Sequence, residues 1–233
     1  MPDYSYEIIR TGRRKTASVS VSPDNKVTIT APDNLSNKEI EVIIKRKDKW
    51  IRGKIEFNKQ VKYPYKPKEY ISGESFTYLG RNYRLKVQDG TNSNIKLKGK
   101  YLIINIEKNL GDNQQTQYIK DQLIEWYKNR AYLKFNERMA LYSNRIEIQP
   151  SELKIKELKS RWGSCSQKGT LNFNWKIIMA PMRIVDYVIV HELCHLRFHD
   201  HSPDFWKQIR LLMPDFKERK EWLRVQGALL NNI

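Results

Sequence analysis

All four histidines of the 233-residue chain fall between positions 191 and 201: His191, His195, His199 and His201. The first two bracket His191-Glu192-Leu193-Cys194-His195, an H-E-x-x-H spacing. On a helix, i and i+4 imidazoles stand one above the other on one face, where they can hold a single metal ion. Glu192, turned by about 100° from His191, can reach water at such a metal without ligating it. It can then take a proton from that water and pass it to a leaving group. Ile184, Val185, Val188 and Ile189 just upstream make this a buried helix. Burying a glutamate and two histidines there without chemistry to perform is costly. Zinc suits imidazole nitrogens and an open hydrolytic position. His201 lies beyond the expected helix end, where the chain can bend back, and is the preferred third ligand. His199 is off-axis by about 80° if the helix continues, and is read as a surface group or as a residue that supports a ligand. Asp204, Glu218 and Glu221 are weaker carboxylate alternatives.

Around this segment the sequence must supply a support. Leu153–Leu158, Arg161–Cys165 and Leu171–Asn174 read as strands, with a hairpin turn at Gln167-Lys168-Gly169. Pro181 stands near the start of an apolar helix from about Arg183 to Phe198. Ser202 and Pro203 form a cap, followed by helices Asp204–Leu212 and Asp215–Gln226, divided at Pro214. Upstream, Tyr4–Arg10, Ala17–Val21 and Val27–Thr30 alternate as strands, with a turn at Pro23-Asp24-Asn25. Threes-and-fours spacing predicts a helix over Ser36–Phe57, then a loop over Lys62–Lys68. Strands are expected at Ser75–Leu79, Tyr83–Val87, Asn94–Leu97 and Tyr101–Ile106, and a helix at Gln114–Ser143. The class is α+β: a basic β-rich region over 1–110 with one helix, then a catalytic part over 111–233 built on a small sheet and an active-site helix.

The chain carries 43 Lys+Arg against 26 Asp+Glu, a formal charge of +17, of which +11 falls in residues 1–110. The densest run is Lys45 to Lys68. Such clustering fits a polyanion partner, a nucleic acid or nucleotide held by the N-terminal region, or else a solvated lysine-rich surface. No apolar run is long enough to cross a bilayer, so no membrane partner is expected. No export signal opens the sequence, so a cytoplasmic protein with reduced thiols at Cys165 and Cys194 is expected. Nothing in the sequence indicates an oligomeric state.

The ordered blocks Arg161-Trp162-Gly163-Ser164-Cys165-Ser166, Leu171-Asn172-Phe173-Asn174, Pro181, Asp186-Tyr187-Val188, His191–His195, Asp200-His201-Ser202 and Phe205-Trp206 resemble the YgjP-like metallopeptidases. These are relatives of the SprT and WLM zinc-dependent families. The likeness is close over about residues 150–225 and looser upstream. It implies a minimal zincin-type catalytic domain with His191, His195 and His201 on zinc and Glu192 as catalytic residue. Asp200 departs from the asparagine usual in the family. An edge strand beside the zinc would pair with an extended peptide or protein substrate. Arg161, Gly163 and Asn174 are the substrate-binding candidates, Gly163 by admitting a backbone and Arg161 by binding a carboxylate or phosphate. Trp162 and Gly163 have a competing reading as packing residues under the helix. Arg161, Asn174 and Tyr187 are candidates for stabilising an oxyanion. Cys165 could approach the metal but fits small-residue packing better, and Cys194, Phe205 and Trp206 read as packing.

The leading function is zinc-dependent peptide hydrolysis. Two alternatives follow from the family: a nucleoside-triphosphate (UTP) pyrophosphatase, and a DNA-associated protease or nucleic-acid-binding module. The sequence has neither a phosphate-binding G-x-x-x-x-G-K-[ST] loop nor a carboxylate-rich magnesium site, which weighs against the first alternative.

Overall fold

Val27, Ile29 and Ala31 are completely buried, while Thr28 and Thr30 between them are half-buried, the period of two that a strand imposes. The computed structural model describes residues 4–12, 14, 16–22, 24–60, 67–90, 94–107 and 111–233. Pro23 and most of the expected Lys62–Lys68 loop lie outside these residues, while Asp24 and Asn25 of the expected turn are described, with Asn25 N–H donating to Ser22 O. Two compact units divide the chain, Met1–Lys66 and Pro67–Ile233.

In the first unit, β1 (Tyr6–Arg10), β2 (Ser18–Val21) and β3 (Val27–Ala31) form a sheet in the order β1-β3-β2. β1 runs parallel to β3 and β2 antiparallel. Helix α1 (Asn37–Gln60) starts at a capping box: Glu39 N–H donates to Ser36 Oγ, and Ser36 N–H donates to the Glu39 carboxylate. Ile40 and Ile44, one turn apart on α1, join Ile29 and Ala31 in the core of this unit.

The second unit begins 44 residues before the expected boundary at 111, for a reason visible in its packing. Strands β4 (Ser75–Tyr78), β5 (Arg81–Asp89), β6 (Lys96–Lys98) and β7 (Tyr101–Ile106) form a sheet in the order β4-β5-β7-β6. Its apolar face, with Phe76, Leu85, Leu102 and Ile104, shares one core with Ile119, Leu123, Tyr127 and Phe135 of the long helix α2 (Asp112–Ile146). A sheet with one apolar face must bury it, and here α2 supplies the cover. The β4–β5 turn reaches further: Leu79 and Gly80 N–H donate to the carbonyls of Ile178 and Met179. Gly80 has φ +76°, and a Cβ there would stand 2.9 Å from the Pro181 ring, so this close approach requires glycine.

The second sheet contains β8 (Glu152–Lys156), β9 (Gly163–Cys165) and β10 (Thr170–Asn174) in the order β8-β10-β9. β8 is parallel and β9 antiparallel to β10, so β9 is an edge. A short 3-10 turn, Trp175–Met179, follows β10 directly. The expectations left this apolar segment unassigned. Helix α3 (Met182–Cys194) is buried nearly all round, as a central core helix must be. It carries two buried acids, Asp186 and Glu192, and Asp186 receives both Nε and Nη2 of Arg138 on α2 at 2.6 and 2.8 Å. Helices α4 (Pro203–Leu212) and α5 (Phe216–Gln226) complete the unit. Ser202 caps α4 through Phe205 N–H, with Pro203 in the first turn, as the sequence predicted.

Candidate metal centre

The regular part of α3 stops at Cys194, four residues short of the expected end at Phe198. Beyond it the chain tightens: Leu196 N–H donates to Leu193 O, and Phe198 N–H to Cys194 O. This turn serves the site, because it brings the Phe198 carbonyl within 2.9 Å of His195 Nδ1. With Nδ1–H donating to that carbonyl, the Nε2 lone pair of His195 faces outward and is available to a metal. The same turn sends the chain back so that His201 meets the helix.

Nε2 of His191 lies 3.3 Å from Nε2 of His195 and 3.2 Å from Nε2 of His201. Ligand atoms of all three lie within 4.8 Å of one another, and they are the one such group of His, Cys, Asp or Glu among the described residues. A tetrahedral zinc with Zn–N bonds of 2.0–2.1 Å separates its nitrogens by about 3.3 Å. Burial holds His191 neutral, with its pKa lowered to about 3, and lowers that of His195 too, against the opposing Phe198 hydrogen bond. Neutral imidazoles with converging lone pairs are the donor set a zinc-type ion requires. The residues therefore fit a metal. His199 is exposed and stands apart from the cluster, as do Asp204, Glu218 and Glu221. Glu221 is instead paired with Arg224.

Glu192, next to His191 on α3, is buried, 6% exposed. Loss of water raises its pKa to about 7, with Arg161 pulling the other way. Its carboxyl fills the space left by the missing side chain of Gly163: a Cβ there would lie 2.6 Å from both Glu192 Cγ and Oε1. This corrects one expectation, since the open side of Gly163 admits the Glu192 side chain rather than a substrate backbone. Arg161 remains exposed, and no ion pair or side-chain hydrogen bond occupies its guanidinium among the described residues.

Asn174 departs from its expected role. Its Nδ2 donates to Leu158 O at 2.8 Å and its Oδ1 accepts from Lys176 N–H, so the buried amide pins the approach to β9 and caps the 3-10 turn. With those partners it cannot also receive substrate or stabilise an oxyanion. Tyr187 lies one turn before His191, its ring 5.9 Å away. Burial and the charge of Glu192 push its hydroxyl up to about 12, so it stays protonated and able to donate. Cys165 lies outside the cluster, and burial keeps it a thiol; Cys194 is buried, with its pKa raised to about 12. Trp162 packs against Gly227, the latter's virtual Cβ lying 3.2 Å from the indole.

Two contacts escaped sequence reasoning. The Arg138–Asp186 pair joins positions 48 residues apart, and its one local sign was an acid inside an apolar helix. Trp206, expected to be packing, stacks on the His201 ring at 5.6 Å and 24°. Its signal was position, immediately after Phe205 in the first turn of α4.

No curated protein matches the chain by sequence. Among solved structures, similarity is found to the metallopeptidase zymogen of Pyrococcus abyssi abylysin, at 22% identity and a TM-score of 0.37, covering 42% of this chain and 98% of that one. The metallopeptidase zymogen of Methanocaldococcus jannaschii jannalysin is similar at 22% identity and a TM-score of 0.36, covering 41% and 96%. The pattern of YgjP-like proteins, described as a metallopeptidase domain, matches residues 15–226, and the chain belongs to that family.

Proposed function

We propose that this protein is a zinc-dependent peptidase whose metal is held by His191, His195 and His201 and whose proton-transfer residue is Glu192. The observation that carries the reading is the convergence of three imidazoles, with His191 Nε2 3.3 Å from that of His195 and 3.2 Å from that of His201, beside a buried carboxyl on the same helix as His191. Zinc bound there would supply a Lewis acid that lowers the pKa of water and polarises a scissile carbonyl. Glu192 receives a proton at its carboxylate and delivers it to the departing amide nitrogen, a role its raised pKa favours. Gly163 and the packed wall of α3 hold that carboxyl in place. The β9 edge beside it offers backbone N–H and C=O groups to an extended peptide, which fixes the scissile bond by strand pairing. The protonated Tyr187 hydroxyl and the exposed Arg161 guanidinium are the donors this face offers to developing negative charge.

The test is peptide hydrolysis by the zinc-loaded protein beside Glu192→Gln. The variant should keep stoichiometric zinc and lose about 10²–10⁴-fold in kcat. A UTP arm measures pyrophosphate release; UTP turnover without peptide turnover would overturn the peptidase reading.

A further inference from the structure

The three expected ligands are not equally held. His191 sits on α3 and His195 caps its C-terminal end, where the Phe198 carbonyl locks it through Nδ1. His201 is exposed, lies in no helix or strand, and has His191 Nε2 as the one polar contact of its ring among the described residues. An imidazole on an irregular segment, with no hydrogen bond to a carbonyl or carboxylate, would ordinarily sample several orientations, and ordering it would weaken metal binding.

Aromatic faces take the place of that hydrogen bond. Two consecutive residues of α4 each back one imidazole: Phe205 stacks on His195 at 4.6 Å and 29°, and Trp206 on His201 at 5.6 Å and 24°. Trp206 is itself fixed from α5. Phe216 stacks on it at 5.4 Å and 24°, and Lys220, one turn later, places its Nζ 4.5 Å from the indole centroid. The fold thus builds a column of three near-parallel rings, Phe216, Trp206 and His201, ending at the metal-facing nitrogen. Offset stacks of this kind have a preferred geometry and restrict ring rotation.

We infer that Trp206 is a positioning residue for the metal centre, holding His201 in its ligating orientation before the metal arrives. This rests on the metal-site reading above. It also explains why α4 must start where it does: the Ser202 cap and Pro203 fix the first turn that presents Phe205 and Trp206 side by side.

The test is zinc affinity, measured by competition with a chromogenic chelator, for wild type, Trp206→Leu, Trp206→Phe, His201→Ala and the double variant His201→Ala/Trp206→Leu. Trp206→Leu should weaken zinc binding about 10- to 100-fold, and Trp206→Phe, which keeps a flat face, should restore most of it. In the His201→Ala background, Trp206→Leu should add no further loss, because the ring it positions is gone. Melting curves of the metal-free proteins identify any variant that fails to fold, in which case Trp206→Met carries the same comparison. Unchanged affinity in the folded Trp206 variants, or equal loss in both backgrounds, would overturn the inference alone. A wild-type protein that binds no zinc would overturn the metal-site reading and the inference with it.

Discussion

Gly163→Ala is the smallest change that separates the proton-transfer group from the metal ligands. Gly163 does not have positive φ, so alanine meets no backbone penalty there. Its whole effect is steric: the new methyl would lie 2.6 Å from Glu192 Cγ and Oε1, and 2.8 Å from Cδ, where ordinary contacts begin at 3.4 Å. The carboxyl must retreat by about 1 Å, and a displacement of that size at a reacting group costs about 10²-fold in rate. Overpacking at a buried contact costs roughly 1–3 kcal/mol of stability. The three atoms nearest the added methyl all belong to Glu192 and none to an imidazole, so zinc should stay bound. The β9 backbone is unaltered, so KM for an extended peptide should change little. The assay is steady-state hydrolysis of a fluorogenic peptide, with bound zinc and melting temperature measured on the same preparation. A fall in kcat with zinc retained is expected. An unchanged kcat would refute the placement of Glu192 against β9, and loss of zinc would show that the glycine supports the ligands instead.

Other perturbations probe other contacts. Arg138→Met leaves the Asp186 carboxylate buried without its partner and should destabilise the fold by about 3–5 kcal/mol; chemical denaturation reads this, and a loss below that of a surface ion pair would contradict it. Acid stability of the metal-free protein follows from His191. The unfolded chain binds a proton there as pH falls through 6.5, whereas the folded chain does so only near 3. The unfolded state therefore gains relative stability across that window, and the melting temperature should fall as pH drops from 6.5 towards 3. His191→Gln should show a shallower decline; an identical slope would remove His191 as its source.

The chemistry of the site was legible because it is local. The i, i+4 spacing of His191 and His195 and the Ser202-Pro203 cap need no knowledge of distant residues, and the structure places these side chains as the spacing requires. Most elements were equally legible from periodicity, and Tyr101–Ile106 has the bounds expected of it. What escaped depends on partners remote in sequence. Asn174 reads as a polar residue at a strand end, and only the path of residues 158–161 shows that its amide is already occupied. Gly163 reads as an opening for substrate until α3 brings Glu192 against it. The division of the chain was placed near residue 110 because composition changes there. The sheet of β4 to β7 belongs with the later residues because α2 covers its apolar face, a fact of packing that no local pattern records. The bend after Cys194 escaped for the same reason, since apolar spacing continues to Phe198 while the hydrogen bonds change.

X-ray absorption at the zinc edge on the purified, zinc-loaded protein reads the ligand set of the metal itself. One zinc per chain with three imidazole nitrogens at about 2.0–2.1 Å is expected, falling to two in His201→Ala. A sulfur scatterer, a shell unaltered by the His201 substitution, or a chain that retains no zinc would contradict it.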